Sequence, residues 1–82
     1  MVKVLWTQKF EQDVKGVRHP VVKERVLKQI RKVSENPDIG KPLRYGLKGE
    51  RTIYVKPYRL IYSVEKDTLI LLRFEHRKEV YE

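Results

Sequence analysis

An α+β fold is what this sequence predicts, and three features predict it. The chain opens on a short strand-like run, two amphipathic helical segments follow at once, and the remainder is a series of strand-like runs with no helical segment between them. Strands joined without crossover helices pair antiparallel. The expected architecture is therefore an N-terminal strand, a two-helix hairpin, and an antiparallel sheet of three to four strands with the helices packed on one face. At 82 residues the chain is expected to form one domain over 1–82. A chain of this size buries roughly 60–65% of its unfolded surface, enough for one modest core and too little for a deep substrate cavity.

Val2-Lys3-Val4-Leu5-Trp6 reads as the first strand, with Val2, Val4 and Trp6 on one face by the two-residue period. Thr7 is a good helix N-cap. The short helix after it carries Phe10, Val14 and Val17 at helical spacing, has Gly16 near its end, and sets Glu11 four residues before Lys15. His19-Pro20 restarts the chain. Proline suits a first helical turn, so a longer helix is expected from about Pro20 to Glu35, stopped by Asn36-Pro37-Asp38. Its apolar stripe is Val22, Val26, Ile30 and Val33 with Leu27 beside it, and Lys23, Arg25, Lys28, Arg31 and Lys32 fall on the remaining face. The shared stripe of two such helices has to be buried on a sheet.

The strand candidates after the loop through Gly40 and Pro42 are a short one near Leu43–Leu47, then Arg51–Lys56, Tyr58–Val64 and Thr68–Glu75, punctuated by Gly46, Gly49, Pro57 and Lys66-Asp67. A two-residue loop at Lys56-Pro57 pairs Val55 with Tyr58, Tyr54 with Arg59 and Thr52 with Ile61. Ile53, Val55, Leu60, Tyr62 and Val64 then share the core face, and the same alternation excludes Arg59 from it. At the next turn, a three-residue loop of Glu65-Lys66-Asp67 puts Arg73 and Glu75 on Arg59's face, beside Leu69 and Leu71. A two-residue loop would send Arg73 into the core, so the three-residue loop is expected.

Nineteen Lys and Arg against eleven Asp and Glu give a formal charge of +8, a dense positive field that favours polyanions such as RNA, DNA, an acidic protein or the ribosome. There is no cysteine, hence no disulfide framework or thiolate metal site, and His19 and His76 are too few and too far apart to suggest a metal centre. No apolar run has the length of a membrane span, and residues 1–6 are too short for a signal peptide, so a cytoplasmic protein is expected. Two adjacent strand-like runs gather Arg59, Arg73, His76, Arg77 and Tyr81, a set suited to holding a phosphate.

Leu47-Lys48-Gly49, then Tyr58-Arg59-Leu60-Ile61-Tyr62, and finally His76-Arg77-Lys78-Glu79-Val80-Tyr81 resemble the RelE/ParE superfamily of bacterial and archaeal toxins. The order of strand, two helices and meander fits it over nearly the whole chain. The resemblance implies a toxin of a type II toxin–antitoxin pair, held inactive in a hetero-oligomer by a cognate RelB-like antitoxin that covers the sheet's active face or displaces the C-terminal segment. RelE-like members cleave mRNA in the ribosome without metal or other cofactor, leaving a 2′,3′-cyclic phosphate. ParE-like members share the fold and poison DNA gyrase, and a degenerate member would bind its antitoxin and do little else. By resemblance the catalytic set is Arg59, Arg77, Tyr81 and His76. Thr52 and Tyr54 stand where RelE carries two lysines, and Glu75 stands where RelE carries an arginine.

Cleavage by a neighbouring 2′-hydroxyl needs a base for that hydroxyl, positive charge for the phosphorane and a proton for the leaving 5′-oxygen. Arginine suits the middle role, because its planar fork grips phosphate oxygens and keeps its charge. Arg59 is the first candidate, with Arg77 beside it; the plainer alternative for Arg59 is an ion pair with Glu75 or Glu65. His76 is a candidate acid or base, the role imidazoles commonly take, or else a packing residue. Tyr81 is a base lowered by arginines, or a stacking surface for a nucleobase. Tyr54 is a stacking platform or a cover for the sheet. Lys48, Arg51, Lys56 and Arg73 are candidates for RNA backbone contacts, which position without reading sequence. The basic face of the second helix is a solvated face or a ribosomal RNA contact.

Overall fold

A computed structural model of the chain describes residues 3–42 and 49–76. The elements are β1 (Lys3–Trp6), α1 (Gln8–Lys15), α2 (Pro20–Glu35), a 3-10 turn (Pro37–Ile39), β2 (Lys41–Pro42), β3 (Glu50–Val55), β4 (Tyr58–Glu65) and β5 (Thr68–His76). They build a five-stranded mixed sheet in the order β1-β5-β4-β3-β2. The four strands after the helices form the antiparallel sheet expected, and β1, whose pairing the sequence leaves open, runs parallel to β5 with Val4 opposite Leu69 and Trp6 opposite Leu71. The two helices supply the crossover that a parallel pairing requires. The strand expected near Leu43–Leu47 lies outside the described residues; β2, just before it, flanks β3 at Thr52 and Arg51.

Both helices start and stop where local chemistry directs. Thr7 caps α1 by accepting the Phe10 backbone N–H at 3.2 Å. Pro20 opens α2 and Asn36 closes it. Phe10, Val17, Val22, Val26, Ile30 and Val33 pack on Val55, Leu60, Tyr62, Leu69, Leu71 and Phe74 to form the core. Leu27, next to the stripe, stays exposed. Tyr62 anchors the turn after α2: its hydroxyl donates to the Pro37 carbonyl at 2.7 Å and accepts from the Gly40 N–H at 2.9 Å. Burial raises the Tyr62 pKa, opposed by the Gly40 bond and by nearby Arg51. Gly40 lies so close over the ring that an added Cβ would sit 2.8–2.9 Å from ring carbons.

The β3–β4 hairpin turns at Lys56-Pro57 with Val55 opposite Tyr58, Tyr54 opposite Arg59 and Thr52 opposite Ile61, the register alternation predicts. The β4–β5 hairpin corrects the expectation. Its loop is two residues, Lys66-Asp67, with Glu65 opposite Thr68 and Lys66 at φ 56°. Leu69 and Leu71 therefore share the core face with Val64 and Tyr62 and are fully buried. A bulge at Leu72 then inserts one residue, so that Ile61 opposes Arg73 and Arg59 opposes Glu75. One extra residue reverses the facing of everything after it, and Arg73 leaves the core face despite the short loop.

The bulge has an identifiable cause. Beyond Leu71, β5 has no pairing to β1, and α1 takes over that edge. Thr7 Oγ1 lies 2.7 Å from the Leu71 carbonyl and 3.2 Å from that of Leu72, while Asp13 accepts the Phe74 N–H at 3.0 Å. Two helix side chains thus satisfy backbone groups that a strand would otherwise pair. Asp13 is also held by Lys9 at 2.6 Å, and that pairing raises the Lys9 pKa.

Candidate functional site

The sheet face turned away from the helices carries the candidate site. Alternation on β3 sends Glu50, Thr52 and Tyr54 to it, and alternation on β4 sends Arg59, Ile61 and Ser63. The Leu72 bulge adds Arg73 and Glu75 from β5. Ile61 is fully buried here, outside the helix-side core.

Charges on this face form a chain. Arg59 Nη2 lies 3.8 Å from Glu75 Oε2, Arg73 Nε lies 3.0 Å from Glu75 Oε1, and Arg73 Nη2 lies 3.1 Å from Glu50 Oε1. Glu75 bridges two arginines, and Glu50, nearly buried, holds the second from the other side. The Arg59 side chain is only 13% exposed. Its Nε is buried with no hydrogen-bond partner among the described residues, as is Thr52 Oγ1 on the adjoining strand. Buried donors without acceptors are uncommon in native proteins and ask for an explanation. The arrangement can orient a guanidinium fork rigidly toward an oxyanion.

Placement of the other candidates divides them. Arg73 joins Arg59. Tyr54 lies directly opposite Arg59, and Lys56 sits in the turn one residue beyond Val55. His76 opposes Tyr58 and so belongs to the helix side, at the end of an aromatic row. Trp6 packs edge-on to Phe10 at 5.0 Å, Phe10 to Phe74 at 6.3 Å, Tyr58 stacks on Phe74 at 4.9 Å, and His76 meets Tyr58 at 5.2 Å. The sheet does not place His76 on Arg59's face. Arg51 also leaves the site: its guanidinium donates to the Gly40 carbonyl at 2.6 Å and to that of Asp38 at 3.3 Å, bracing the turn after α2. Lys48, Arg77 and Tyr81 lie outside the described residues.

Two features were beyond sequence reasoning. Glu50 is a partner of Arg73 because the bulge brings them together, and nothing local signals it. Arg25, Lys28 and Lys32 of α2 line an open groove with Tyr54 and Lys56, of about 380 Å³. Helical spacing put those cations on one face, but which strand they meet depends on packing. Among the described residues no cluster of three or more His, Cys, Asp or Glu could hold a metal ion, and no helix is long and apolar enough to cross a membrane.

Similarity to known proteins agrees with this geometry. A chain of the RelBE2 toxin–antitoxin complex from Mycobacterium tuberculosis superposes with a TM-score of 0.80 at 29% identity, covering 93% of this chain and 98% of the other. The RelB-RelE antitoxin–toxin complex of Methanococcus jannaschii matches with a TM-score of 0.76 at 27% identity, covering 94% of each chain. The chromosomal ParDE system of Pseudomonas aeruginosa shares the fold, with a TM-score of 0.71 at 20% identity over 93% of this chain and 96% of the other. No curated protein sequence matches. The model of the ParE toxin of the type II toxin–antitoxin system parDE matches residues 4–81. With the family's fold over nearly its full length and the family's sequence pattern across it, this chain belongs to the ParE toxin family of type II toxin–antitoxin systems, within the RelE/ParE superfamily.

Proposed function

We propose that this protein is a toxin that cleaves ribosome-bound mRNA in the cytoplasm and is silenced by a cognate antitoxin in a hetero-oligomer. The observation that carries the reading is the Arg59 guanidinium, held on the sheet face turned away from the helices with Arg73 beside it and Glu75 between them. A phosphodiester can compete with Glu75 for the guanidinium nitrogens. The 2′-hydroxyl attacks the adjacent phosphorus and gives its proton to a base. The 5′-oxygen leaves with a proton, so the products carry a 2′,3′-cyclic phosphate and a 5′-hydroxyl. Arg59 stabilises charge on the phosphorane, and its contribution comes from being fixed before that charge develops. Arg77 and Tyr81, from the motif the superfamily shares, would supply the second cation and the base or stacking surface. The antitoxin proposal draws support from matched structures that are toxin–antitoxin complexes.

A second reading, a gyrase-directed toxin without a nuclease site, is favoured by one specific observation. Each arginine of the described cluster is matched by a carboxylate, Glu75 or Glu50, which leaves the cluster electrically neutral. Cell-free translation with primer extension separates the two. Cuts inside ribosome-held codons that vanish in Arg59→Ala support the nuclease. Intact message together with arrested gyrase supercoiling refutes it.

A further inference from the structure

The groove between α2 and the β3–β4 hairpin is not accounted for by the ion-paired face. We infer that it is a backbone-binding track for single-stranded RNA, taking the nucleotides that flank the phosphate held near Arg59. The inference rests on the RNA reading above and adds a second contact region to it.

Among the described residues four cations, Arg25, Lys28, Lys32 and Lys56, line this groove, and no carboxylate does. That contrasts with the face of Arg59 and Arg73, where every described cation has an acidic partner. Residues 25, 28 and 32 recur at three- and four-residue steps, so they form one row on the helix, about 10 Å long at 1.5 Å per residue. A row of cations on an open groove tracks a polyanion rather than enclosing a small molecule.

Tyr54 connects the two regions. It is paired with Arg59 across the β3–β4 ladder, and it also lines the groove. A strand whose scissile phosphate lies at Arg59 therefore reaches the groove by passing an aromatic side chain, which can stack a nucleobase irrespective of its identity. An acidic peptide would gain the charge contacts but nothing from that ring.

The test uses the full chain and a fluorescein-labelled ten-nucleotide 2′-O-methyl oligouridylate, which lacks the attacking hydroxyl, so that binding is read apart from cleavage. Anisotropy titrations between 50 and 200 mM KCl give the slope of log K against log salt. For Lys28→Ala/Lys32→Ala/Lys56→Ala the slope should become shallower by about 2, at roughly 0.7 per lost phosphate contact on a single strand. Tyr54→Leu should weaken binding at least about fivefold with the slope unchanged, as expected for lost stacking. Since the three lysines are exposed, melting temperatures near the parent's accompany both results. Should a variant melt early, the single turn substitution Lys56→Glu carries the test, with a slope shallower by about 0.7 or more. An unchanged slope in the charge variants overturns the inference. So does a deca-glutamate peptide that binds as tightly as the RNA and is lost with the same substitutions, which would make the groove an acidic-peptide site. Failure of the nuclease reading shows instead in the primer-extension assay, whatever the slope.

Discussion

Glu75→Gln is the substitution that interrogates the ion-paired face most directly, because it removes one charge at nearly constant shape. Glu75 contacts Arg73 at 3.0 Å and Arg59 at 3.8 Å. Two unit charges 4 Å apart interact by about 4 kcal/mol at an effective dielectric of 20. Glu75 is 28% exposed and Arg73 33% exposed, so solvent and salt cut each pair to about 0.5–1 kcal/mol. Losing two pairs costs about 1–2 kcal/mol, and at about 4–8 °C per kcal/mol for a chain of this size Tm falls by roughly 5–15 °C. The same carboxylate competes with any anion for the two guanidiniums. Its neutralisation should tighten binding of 2′-O-methyl oligouridylate in 0.1 M salt by about 5- to 30-fold, the factor corresponding to 1–2 kcal/mol. Melting curves and anisotropy on one preparation measure both quantities. A lowered Tm with unchanged or weaker RNA binding would refute the reasoning, since the anion would then not sit where Glu75 sits.

Asp13→Ala removes the charged acceptor of the Phe74 N–H and should cost about 1.5–3 kcal/mol by urea unfolding; a loss below about 0.5 kcal/mol would mean that the bulge does not depend on it. Tyr62→Phe strips the hydroxyl that holds Pro37 and Gly40, at about 1–3 kcal/mol. Burial raises the native pKa of Tyr62, so its stabilising effect is whole below the unfolded value near 10 and falls as pH rises through the higher native value. The parent should thus lose stability above about pH 10 more steeply than Tyr62→Phe, as chemical denaturation across pH 8–11 would show. Gly40→Ala forces a methyl against the Tyr62 ring and should destabilise at least as much as Tyr62→Phe, measured by the same unfolding series.

Local chemistry made much of this fold readable. Pro20 and Asn36 bound α2 because each acts on its own backbone, and the two-residue turn at Lys56-Pro57 placed Tyr54 opposite Arg59 by parity alone. Parity failed on β5 for a reason absent from the local sequence. The Leu72 bulge is held by Thr7 and Asp13, whose bonds to β5 span more than sixty residues of chain. Reading alternation without it put Leu69 and Leu71 on the wrong face while still giving Arg73 and Glu75 the right one. The parallel pairing of β1 was likewise hidden, since a short apolar run carries no mark of direction. In the site, the Arg59–Glu75 alternative was visible because alternation put both residues on one face; that they stand directly opposite each other depends on the bulge. The Glu50 contact and the basic groove required knowledge of which elements pack together.

The position of β5 bears on how this chain is born. Residues 68–76 form an interior strand, with β4 along one flank and β1 beside residues 68–71 on the other. Until that stretch has left the ribosomal exit tunnel, the opening strand has no neighbour to zip to and the helices lack half their floor. Such distant pairing makes folding slow and late. A message truncated upstream of codon 68 should therefore yield an unfolded, protease-sensitive fragment, and one extended past codon 76 a protease-resistant product.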